Sequence, residues 1–543
     1  MADETVGMND SVGSRETLER IAAGLLMIGF PGQSVPADTV DLVARGVRGF
    51  ILFARNLGEA EQVISLNAQL RALAGDDALI AIDHEGGRVN RLGGAATPWP
   101  SPMAWAATGD IDLARRASAV AARELAALGF NLNFAPVADI LGNHHNPVLG
   151  VRCFSDDPRI VAEYSSAFIE GHRCSNVAAT AKHFPGHGRT SVDSHVDLPE
   201  VDLTLDELQC SDLVPFKAAI AADVDCLMIS HIWYSMLDDR STPATVSRRV
   251  MDLARGELGY DGVIVTDSME MKAIQKHMTI GEAVVQAIGA GADLAVVSHH
   301  IELQHEALEA LVAAVRDGTL PVARLMEASR RLASLRTRVQ STGTTRPENG
   351  EELARSIARQ SITLVRDEAG FIPLQMAANE TLGVITFSPQ RPTGVENARI
   401  PPSRLSDMAR SHHARVLEVQ VEDVEPDAVL DGLRAADTIM VGTSFTTSYP
   451  LQRDVVNTLL RSGKRVVVLA LSDPFDLLSF PEAPCYLAVY GDTSHQLDAA
   501  LAVLFGDSHA HGRLPVRLGD LHPRGHGIQR DGGRNPRAHQ MRR

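Results

Sequence analysis

Cysteine is scarce in the 543-residue sequence, and the positions of the five cysteines exclude a disulfide framework. No two of them form a CxxC pair, and their spacing follows no regular pattern. Because an odd number of scattered cysteines suits a reducing compartment, we expect buried apolar fillers rather than ligands or nucleophiles. The five are Cys153, Cys174, Cys210, Cys226 and Cys485.

Export and membrane signals are also missing from the sequence. Residues 1–20 contain acids and lack a basic start followed by an apolar run, and no apolar run approaches the ~20 residues that cross a bilayer. The formal net charge of −17 predicts repulsion of nucleic acids and of anionic membranes. We therefore expect a cytoplasmic protein with no nucleic-acid or membrane partner, although a local basic pocket leaves room for a small anionic substrate.

Length and apolar patterning predict two domains, of which the first is a barrel. Across the first 300 residues, short continuous apolar runs alternate with helical patterns such as Ile111–Leu128 and Leu208–Ala222. This alternation is typical of a parallel sheet covered by helices, and eight such units close a (β/α)8 barrel of the TIM type. The predicted strands are Leu25–Phe30, Gly49–Ala54, Leu79–Asp83, Asn131–Asp139, Ala178–Phe184, Cys226–Ser230, Gly262–Asp267 and Asp293–Ser298.

Most of these predicted strands end abruptly in polar or ionisable residues. Barrel enzymes build their sites from the C-terminal ends of the strands, so this pattern predicts an active site at that end of the barrel. Loops are hydrophilic in general, but they rarely repeat ionisable residues at the last strand position. The polar ends are Asp83-His84-Glu85, Asp139, Lys182-His183, Ser230-His231, Thr266-Asp267 and Ser298-His299-His300.

A second, smaller α/β sandwich domain is predicted over residues 356–520. The barrel occupies residues 1–340, and residues 341–355 are expected to be a linker, because Ser341–Glu351 is polar and contains Gly and Pro. Richness in Gly, Arg, His and Pro predicts a disordered tail over residues 521–543. The apolar runs of the second domain are Leu382–Phe387, Arg415–Val421, Thr438–Thr443, Arg465–Leu471 and Tyr486–Tyr490.

The segment KHFPGHGRTSVDSH, residues 182–195, is the densest group of chemistry-bearing residues. Its glycines allow tight turns close to a ligand, and Asp193 and His195 point the same way in extended backbone. A carboxylate beside an imidazole raises its basicity, which makes His195 a candidate general acid–base. Two rival interpretations are a metal site, whose spacing would fit no common zinc pattern, and a loop pinned by histidine hydrogen bonds.

Asp267 stands at the last position of a predicted buried strand. A carboxylate there can project into the barrel mouth and attack an anomeric carbon, but Asp267 or Ser268 could equally be a helix N-cap. Asp83 and Arg91 are candidates for holding sugar hydroxyls. Arg152 is a further candidate, although a single arginine can instead form a surface ion pair.

Taken together, these segments resemble bacterial glycoside hydrolase family 3, and within it the β-N-acetylhexosaminidase branch. The matching stretches run in order from about Gly49 to Met271, and KHFPGHG followed by DSH is highly specific. They are GFILFARN, IDHEGGRVNRL, NFAPVADI, RCFSDDP, KHFPGHG, DSH and VTDSMEM. The resemblance implies no metal and no organic cofactor, and the C-terminal part ending in GRLPV looks like the α/β sandwich domain of many members.

The resemblance also implies a role for each matching residue. Asp267 is then the nucleophile, His195 the acid–base and Asp193 its partner. The residues expected to hold the N-acetylglucosamine ring, or to lie near it, are Asp83, Arg91, Arg152, Lys182, His183 and His231.

Three positions depart from the family pattern. Arg189 stands where an acidic residue is frequent, Cys153 where a serine is usual, and His84 where a glutamine is frequent. None is a presumed catalytic group. Because Arg189 adds a positive charge to the mobile loop, we expect it to alter the preference for an anionic aglycone or acceptor.

The residues and the resemblance predict a retaining exo-glycosidase that removes terminal β-linked N-acetylglucosamine through a glycosyl-aspartate, with peptidoglycan fragments as substrates. One alternative is a phosphorylase, because a neutral histidine base adds no second negative charge that would repel phosphate. Another is a glycosidase with broader hexoside tolerance. A non-catalytic sugar-binding protein would not need the set Asp193, His195 and Asp267. The C-terminal domain is expected to be a scaffold or a lid.

Overall fold

The computed structural model describes residues 15–238, 241–340, 349–388 and 404–529, and the first part of the chain is a closed barrel. Its eight strands are parallel and follow one another in chain order, with the eighth paired to the first. This confirms the predicted (β/α)8 barrel. The strands are β1 Leu26–Ile28, β2 Gly49–Leu52, β3 Leu79–Ile82, β4 Leu132–Asn133, β5 Ala178–Phe184, β6 Cys226–Ile229, β7 Val263–Ser268 and β8 Leu294–Val297.

Burial explains why these strands appear in the sequence as unbroken apolar runs. Every strand residue of the barrel is buried except Asp267 and Ser268, the last two of β7. Strands covered on both faces need apolar side chains at every position rather than at alternate ones. Strand β4 ends at Asn133, well before the predicted Asp139, although Lys182 of β5 still donates its backbone N–H to the carbonyl of Pro136 at 3.1 Å.

Helices connect successive strands and cover the outside of the barrel. The predicted helix Leu208–Ala222 is divided in two after Cys210, because Pro215 lacks the N–H that would bond the carbonyl of Ser211. The α-helices are Arg15–Ala23, Ala37–Arg45, Ala60–Ala74, Pro102–Ala107, Ile111–Ala127, Pro158–Arg173, Leu205–Cys210, Leu213–Ala221, Arg248–Asp252, Lys272–Gln275, Ile280–Ala290, Ile301–Arg316 and Val322–Val339. Shorter helical turns are Ala54–Asn56, Gly93–Ala95, Gly150–Arg152, Ala244–Val246 and Leu253–Glu257, and short strand pairs join His84–Gly86 to Val89–Asn90 and Glu200–Val201 to Trp233–Tyr234.

The second domain is a six-stranded sheet. Its strands are β9 Thr363–Asp367, β10 Leu382–Phe387, β11 Val416–Val421, β12 Thr438–Thr443, β13 Arg465–Ala470 and β14 Cys485–Ala488. Their order in the sheet is β9-β14-β13-β12-β10-β11, and all are parallel except β9. Apolar runs predicted all of these strands except β9, whose sequence TLVRD carries two charges. The helices of this part are Gly350–Ser361, Leu405–Ala409, Pro426–Gly432, Pro450–Arg461, Pro474–Ser479 and Ser494–Phe505.

Two predicted boundaries of the second domain need correction. Residues 341–348 of the predicted linker lie outside the described residues, but the rest of it enters the helix Gly350–Ser361. The prediction of a disordered tail is wrong for residues 521–529, since backbone N–H groups of Gly525 and Ile528 donate to carbonyls of Leu514 and Leu364 at 2.8 Å. Residues 530–543 lie outside the described residues.

The two domains share a continuous apolar core. One cluster of buried side chains includes Met103 and Leu149 of the barrel together with Tyr486 and Val516 of the second domain. Hydrogen bonds at the edge of this core also join the two domains: Ser101 Oγ donates to the carbonyl of Tyr490 at 2.7 Å. The second domain therefore packs on the barrel loops that follow β3 and β4.

Three of the five cysteines are buried, as expected, whereas Cys174 and Cys210 are exposed. All five are free thiols. In the described ranges, no helix has the length and apolar character needed to cross a bilayer.

Candidate active site

A cavity of about 520 Å³ opens at the C-terminal ends of the barrel strands. Its volume lies within the range of small-molecule sites. The residues that line it all belong to the barrel and lie between Ile51 and His300. The predicted ring of polar strand ends therefore faces one shared space.

Asp267 is the carboxylate at the end of β7, and it lines this cavity. The backbone N–H of Ser268 donates to its Oδ1 at 2.7 Å, and this bond fixes the direction of the carboxylate. Burial alone would raise the pKa of Asp267, but the nearby His231, His183 and His195 lower it below its ordinary value. The group is thus an anion at neutral pH, the form that a nucleophile needs.

His195 lines the same cavity and forms a pair with Asp193. Its Nδ1 lies 2.8 Å from Asp193 Oδ1, and its backbone N–H donates to the same oxygen at 2.8 Å. Burial works to lower the pKa of His195, but the hydrogen bond and charge of Asp193, with the charge of Asp267, raise it. The imidazole of His195 is 34% exposed, so its other nitrogen can reach a substrate.

The loop that carries this pair is attached to the barrel at several points. A Cβ atom at Gly188 would lie 1.5 Å from the carbonyl oxygen of Ile140, so this close approach requires glycine. Further along, the carbonyl of Ser194 accepts a hydrogen bond from Ala273 N–H at 3.2 Å. The acid–base loop therefore extends from the end of β5 to the segment that follows β7.

A network of buried charges forms one wall of the cavity. Lys182 Nζ lies 2.8 Å from Asp83 Oδ1 and 2.6 Å from Glu85 Oε1. Arg152 makes two parallel bonds of 2.8 Å to Glu85, and Arg91 lies 3.8 Å from Asp83. Each buried charge is thus paired, which offsets the large cost of removing it from water. Asp83, at 17% exposure, turns its carboxylate to the cavity and can accept hydrogen bonds from sugar hydroxyls.

Burial and pairing also fix the charge of each group in this network. Burial raises the pKa of Glu85, but Arg152 and Lys182 hold it well below its ordinary value. Burial lowers the pKa of Lys182, but Asp83 and Glu85 raise it. The wall therefore presents fixed positive and negative groups at neutral pH.

His183 is oriented by a carboxylate behind it. Its Nδ1 lies 2.7 Å from Asp139 Oδ2, while Asp139 Oδ1 accepts the backbone N–H groups of His183 and His187 at 3.1 and 2.7 Å. Since Nδ1 is engaged with an ionised carboxylate, the other ring nitrogen of His183 is the one available to the cavity.

The structure places two of the singled-out residues away from the cavity lining. His231 is 1% exposed and bonds Thr245 Oγ1 at 2.5 Å and the carbonyl of Ser268 at 2.8 Å, so it supports the end of β7 rather than a sugar. Arg189 pairs with Asp212 at 3.0 Å. The expectation that Arg189 alters the preference for an anionic aglycone therefore has no support from its position.

The other two departures from the family pattern, Cys153 and His84, are also buried and absent from the cavity lining. Burial lowers the pKa of His84 to about 4, so its ring is neutral. Among the residues that the structure describes, no group of three or more His, Cys, Asp or Glu side chains is arranged to hold a metal ion.

Sequence reasoning did not assign roles to Glu85, Asp139 and Glu270, the carboxylates that hold the cavity residues in place. Glu85 and Asp139 were visible as polar strand ends, but their partners come from other strands. Glu270 accepts the backbone N–H groups of Ser298, His299 and His300 at 2.6–2.8 Å. The signal for Glu270 was its place in VTDSMEM, two residues from the strand end.

Comparisons with known proteins identify the family of the chain. Residues 17–335 match the model of the glycosyl hydrolase family 3 N terminal domain. Beta-hexosaminidase A of Pseudoalteromonas piscicida is 30% identical over 555 residues, which cover 89% of this chain and 91% of that protein. The beta-hexosaminidase of Stenotrophomonas maltophilia (strain K279a) is 38% identical over 295 residues, 53% of this chain and 87% of that protein.

A solved structure resembles the chain over nearly its whole length. It is a glycoside hydrolase family 3 β-N-acetylglucosaminidase from Paenibacillus sp. str. FPU-7, with a TM-score of 0.88, 35% identity, and coverage of 92% of this chain and 99% of that chain. The family match covers most of the barrel, and this structure includes a counterpart of the second domain. The chain belongs to glycosyl hydrolase family 3 and is a glycoside hydrolase similar to the β-hexosaminidases.

Proposed function

We propose that the chain is a retaining β-N-acetylhexosaminidase that removes terminal β-linked N-acetylglucosamine. The observation that carries the proposal is the position of the Asp193–His195 pair in the same cavity as Asp267. An ionised carboxylate and an imidazole with a raised pKa are the nucleophile and the acid that double displacement requires. The names of the relatives support the sugar.

In the first step, an oxygen of Asp267 attacks the anomeric carbon as the glycosidic C–O bond breaks. Protonated His195 gives its proton to the leaving oxygen, so the aglycone departs as a neutral alcohol. The sugar is then an ester of Asp267. Asp193 stabilises the imidazolium before the transfer, because its carboxylate accepts the Nδ1 proton.

In the second step, His195 is neutral and acts as the base. It takes a proton from water as the water oxygen attacks the anomeric carbon and the bond to Asp267 breaks. Two inversions give net retention, and both Asp267 and His195 return to their starting protonation states.

Binding of the sugar is assigned to the charged wall of the cavity. Asp83 and Lys182 can bond a pair of neighbouring hydroxyls, and His183 can bond a third. We place Arg91 at the outer edge of this wall and Arg152 at its inner edge. As natural substrates we propose peptidoglycan fragments that carry a terminal N-acetylglucosamine.

Phosphate is the second acceptor that the site favours. The base beside Asp267 is an imidazole, which is uncharged when the acceptor arrives, whereas a carboxylate base would repel a phosphate anion. N-acetylglucosamine 1-phosphate would then be the product.

The test is turnover of p-nitrophenyl β-N-acetylglucosaminide with and without millimolar phosphate, with identification of the sugar product. Free N-acetylglucosamine of β configuration at a phosphate-independent rate supports the hydrolase. N-acetylglucosamine 1-phosphate with strong phosphate stimulation supports the phosphorylase. Absence of both products would contradict the proposed substrate.

A further inference from the structure

One segment of the barrel contacts both the acid–base loop and the second domain. It comprises residues 143–149, in the loop that follows β4 and leads to Arg152. The proposed mechanism uses none of its side chains, and within it Val148 alone lines the cavity. We name residues 143–149 the bridging segment.

The bridging segment holds the acid–base loop through two asparagines. Nδ2 of Asn146 donates to the carbonyl of His187 at 2.9 Å and to Oγ1 of Thr190 at 3.0 Å. The backbone N–H of Asn143 donates to the carbonyl of Gly188 at 3.0 Å, and its Nδ2 donates to the carbonyl of Thr190 at 3.2 Å. Four hydrogen bonds thus fix the part of the loop that leads to the acid–base pair.

The side-chain oxygen of Asn146 is bonded on the other side. Its Oδ1 accepts the backbone N–H groups of Val148 and Leu149 at 2.9 and 3.0 Å. Asn146 is buried, so these bonds are shielded from water. A buried amide whose two donors and two acceptor sites are all engaged has one satisfied orientation. Asn146 therefore joins the acid–base loop to Val148 and Leu149.

The second domain holds Val148 and Leu149 in turn. Both side chains are buried in the apolar cluster that the two domains share, and Phe475 of the second domain belongs to the same cluster. The ring of Phe475 also packs on the ring of His144, with centroids 5.5 Å apart. The second domain thus fixes the bridging segment from the side opposite the acid–base loop.

His195 can act as the acid only if its loop is held in the right place. A general acid must lie within hydrogen-bond reach of the leaving oxygen, and a misplacement of about 1 Å can lower the rate on the order of 10²-fold. Just before the acid–base pair, the chain is exposed at Ser191 and Val192, so packing does not fix it there. The bridging segment therefore anchors the loop before the pair, whereas the bond from Ala273 to Ser194 anchors it at the pair.

We propose that the second domain positions the acid–base loop of the barrel, and that Asn146 is the positioning residue through which it acts. This inference rests on the proposed function, because it requires His195 to be the general acid. Apolar packing fixes Val148 and Leu149, and their N–H groups orient Asn146. The second domain thereby acts on the chemistry without touching the substrate.

The test measures how strongly the rate of each variant depends on the leaving group. One substrate is a disaccharide with a terminal N-acetylglucosamine, whose leaving oxygen needs a proton. The other is a dinitrophenyl β-N-acetylglucosaminide, whose leaving group needs none. Because kcat/KM reports the steps up to departure of the aglycone, the ratio of the two kcat/KM values isolates the acid. A lower fraction of folded enzyme reduces both values together and leaves their ratio unchanged.

Asn146→Asp removes the donor and keeps the acceptor. Its side chain still accepts the N–H groups of Val148 and Leu149, but it presents an oxygen that cannot donate to the carbonyl of His187. We expect kcat/KM for the disaccharide to fall about tenfold and that for the dinitrophenyl substrate to stay within about twofold. Thr190→Val removes a partner of Asn146 from the loop side and should show the same selectivity, including where Asn146→Asp does not fold.

Asn67→Asp is the matched control for this change. Asn67 is buried, donates from Nδ2 to the carbonyl of Leu128 at 2.8 Å, and does not line the cavity. The control loses a buried donor in the same way, and it should keep the wild-type ratio.

A second pair of variants tests the part played by the second domain. Phe475→Ala removes the packing on His144 and on the shared cluster, and it should shift the ratio in the same direction by about threefold. Phe505→Ala is its control, because Phe505 also packs on a histidine, His412, at 5.0 Å. The described residues of that apolar cluster all belong to the second domain, so this control should keep the wild-type ratio.

Each failure has its own meaning. Wild-type ratios in both Asn146→Asp and Thr190→Val would overturn the role of Asn146, and a wild-type ratio in Phe475→Ala would overturn the role of the second domain. His195→Ala is the reference: if it shows strong dependence on the leaving group and the other variants do not, this inference alone is wrong. If His195→Ala slows both substrates equally, the proposed function is contradicted as well.

Discussion

Each domain contains a sheet that is wholly or mostly parallel, but only the strand ends of the barrel meet in one cavity. In the barrel, strand ends carry Asp83, His183 and Asp267, and these side chains share one cavity. In the second domain, β10 and β13 continue into Ser388 and Leu471, and although β11 is followed by Glu422 and Asp423, no side chain of this domain lines the cavity. From this difference we infer that the chemistry lies in the barrel, and we propose a scaffold role for the second domain.

The scaffold role has a specific contact. The second domain packs on the loop that follows β4, where Arg524 bonds Asp156 and Asp157 at 2.8 and 2.6 Å. That loop also carries Arg152. The second domain therefore supports one edge of the charged wall without lining the cavity, and the described residues give no support for its expected alternative role as a lid.

The strongest test of this comparison is to remove one carboxylate from each domain. Asp267→Ala should lower kcat for an aryl β-N-acetylglucosaminide by on the order of 10⁵-fold, because no covalent intermediate can form. Asp476→Asn, in the second domain, should leave kcat and KM within about twofold, since only the scaffold is altered. Steady-state kinetics on both purified variants give the result. Equal losses would contradict the division of roles.

The next largest effect separates the acid from the nucleophile. His195→Ala should slow a disaccharide by about 10²–10⁴-fold, because the leaving oxygen then departs without a proton. A dinitrophenyl glycoside should retain most of its rate for bond cleavage, since its leaving group needs no protonation. Burst and steady-state measurements on both substrates make the comparison. A uniform loss across leaving groups would argue against His195 as the acid.

Removal of a carboxylate from the charged wall should weaken both substrate binding and the stability of the protein. Glu85→Gln leaves Lys182 and Arg152 buried without their shared carboxylate, so we expect a loss of about 3–5 kcal/mol in the free energy of unfolding and a raised KM. Urea unfolding and substrate titration measure the two effects. Glu352→Gln, an exposed carboxylate on the helix Gly350–Ser361, is the control and should change neither quantity. An unchanged KM with full stability would show that this wall does not hold the sugar.

The smallest effect is a shift in pH dependence. Asp193 raises the pKa of His195, so the acid form of His195 persists to higher pH and activity falls as pH rises through that raised value. Asp193→Asn removes the charge, and the alkaline limb of kcat/KM should move to lower pH. The acid limb, which reports Asp267, should stay in place. An alkaline limb that does not move would mean that a different group is the acid.

Much of the fold was predictable because buried parallel strands are continuous apolar runs. The strand Ala178–Phe184 matches its prediction at both ends. Features that depend on tertiary context were missed: Thr363–Asp367 pairs antiparallel with Cys485–Ala488 despite its charges, and residues 521–529 are ordered by contacts with the second domain. Local composition carries no information on such contacts.

The candidate site was predictable from the sequence to about the same extent as the fold. The place of Asp267 at a strand end was predictable from the apolar run before it, but position alone left a helix N-cap as an equal alternative, and the nucleophile role came from the family resemblance. Pairings between strands were not, because Glu85 meets Arg152 across 67 residues and Asp139 meets His183 across 44. His231 was expected near the sugar, but the fold turns both of its nitrogens to protein atoms.

The most direct test of the account is to trap the intermediate on Asp267. In His195→Ala, a dinitrophenyl β-N-acetylglucosaminide should still transfer its sugar, while the second step lacks its base and becomes slow. Acid quenching followed by peptide mass spectrometry should then show one N-acetylhexosaminyl group on the peptide that contains Asp267. An unmodified Asp267 peptide during turnover, or a sugar attached to another residue, would contradict the central claim.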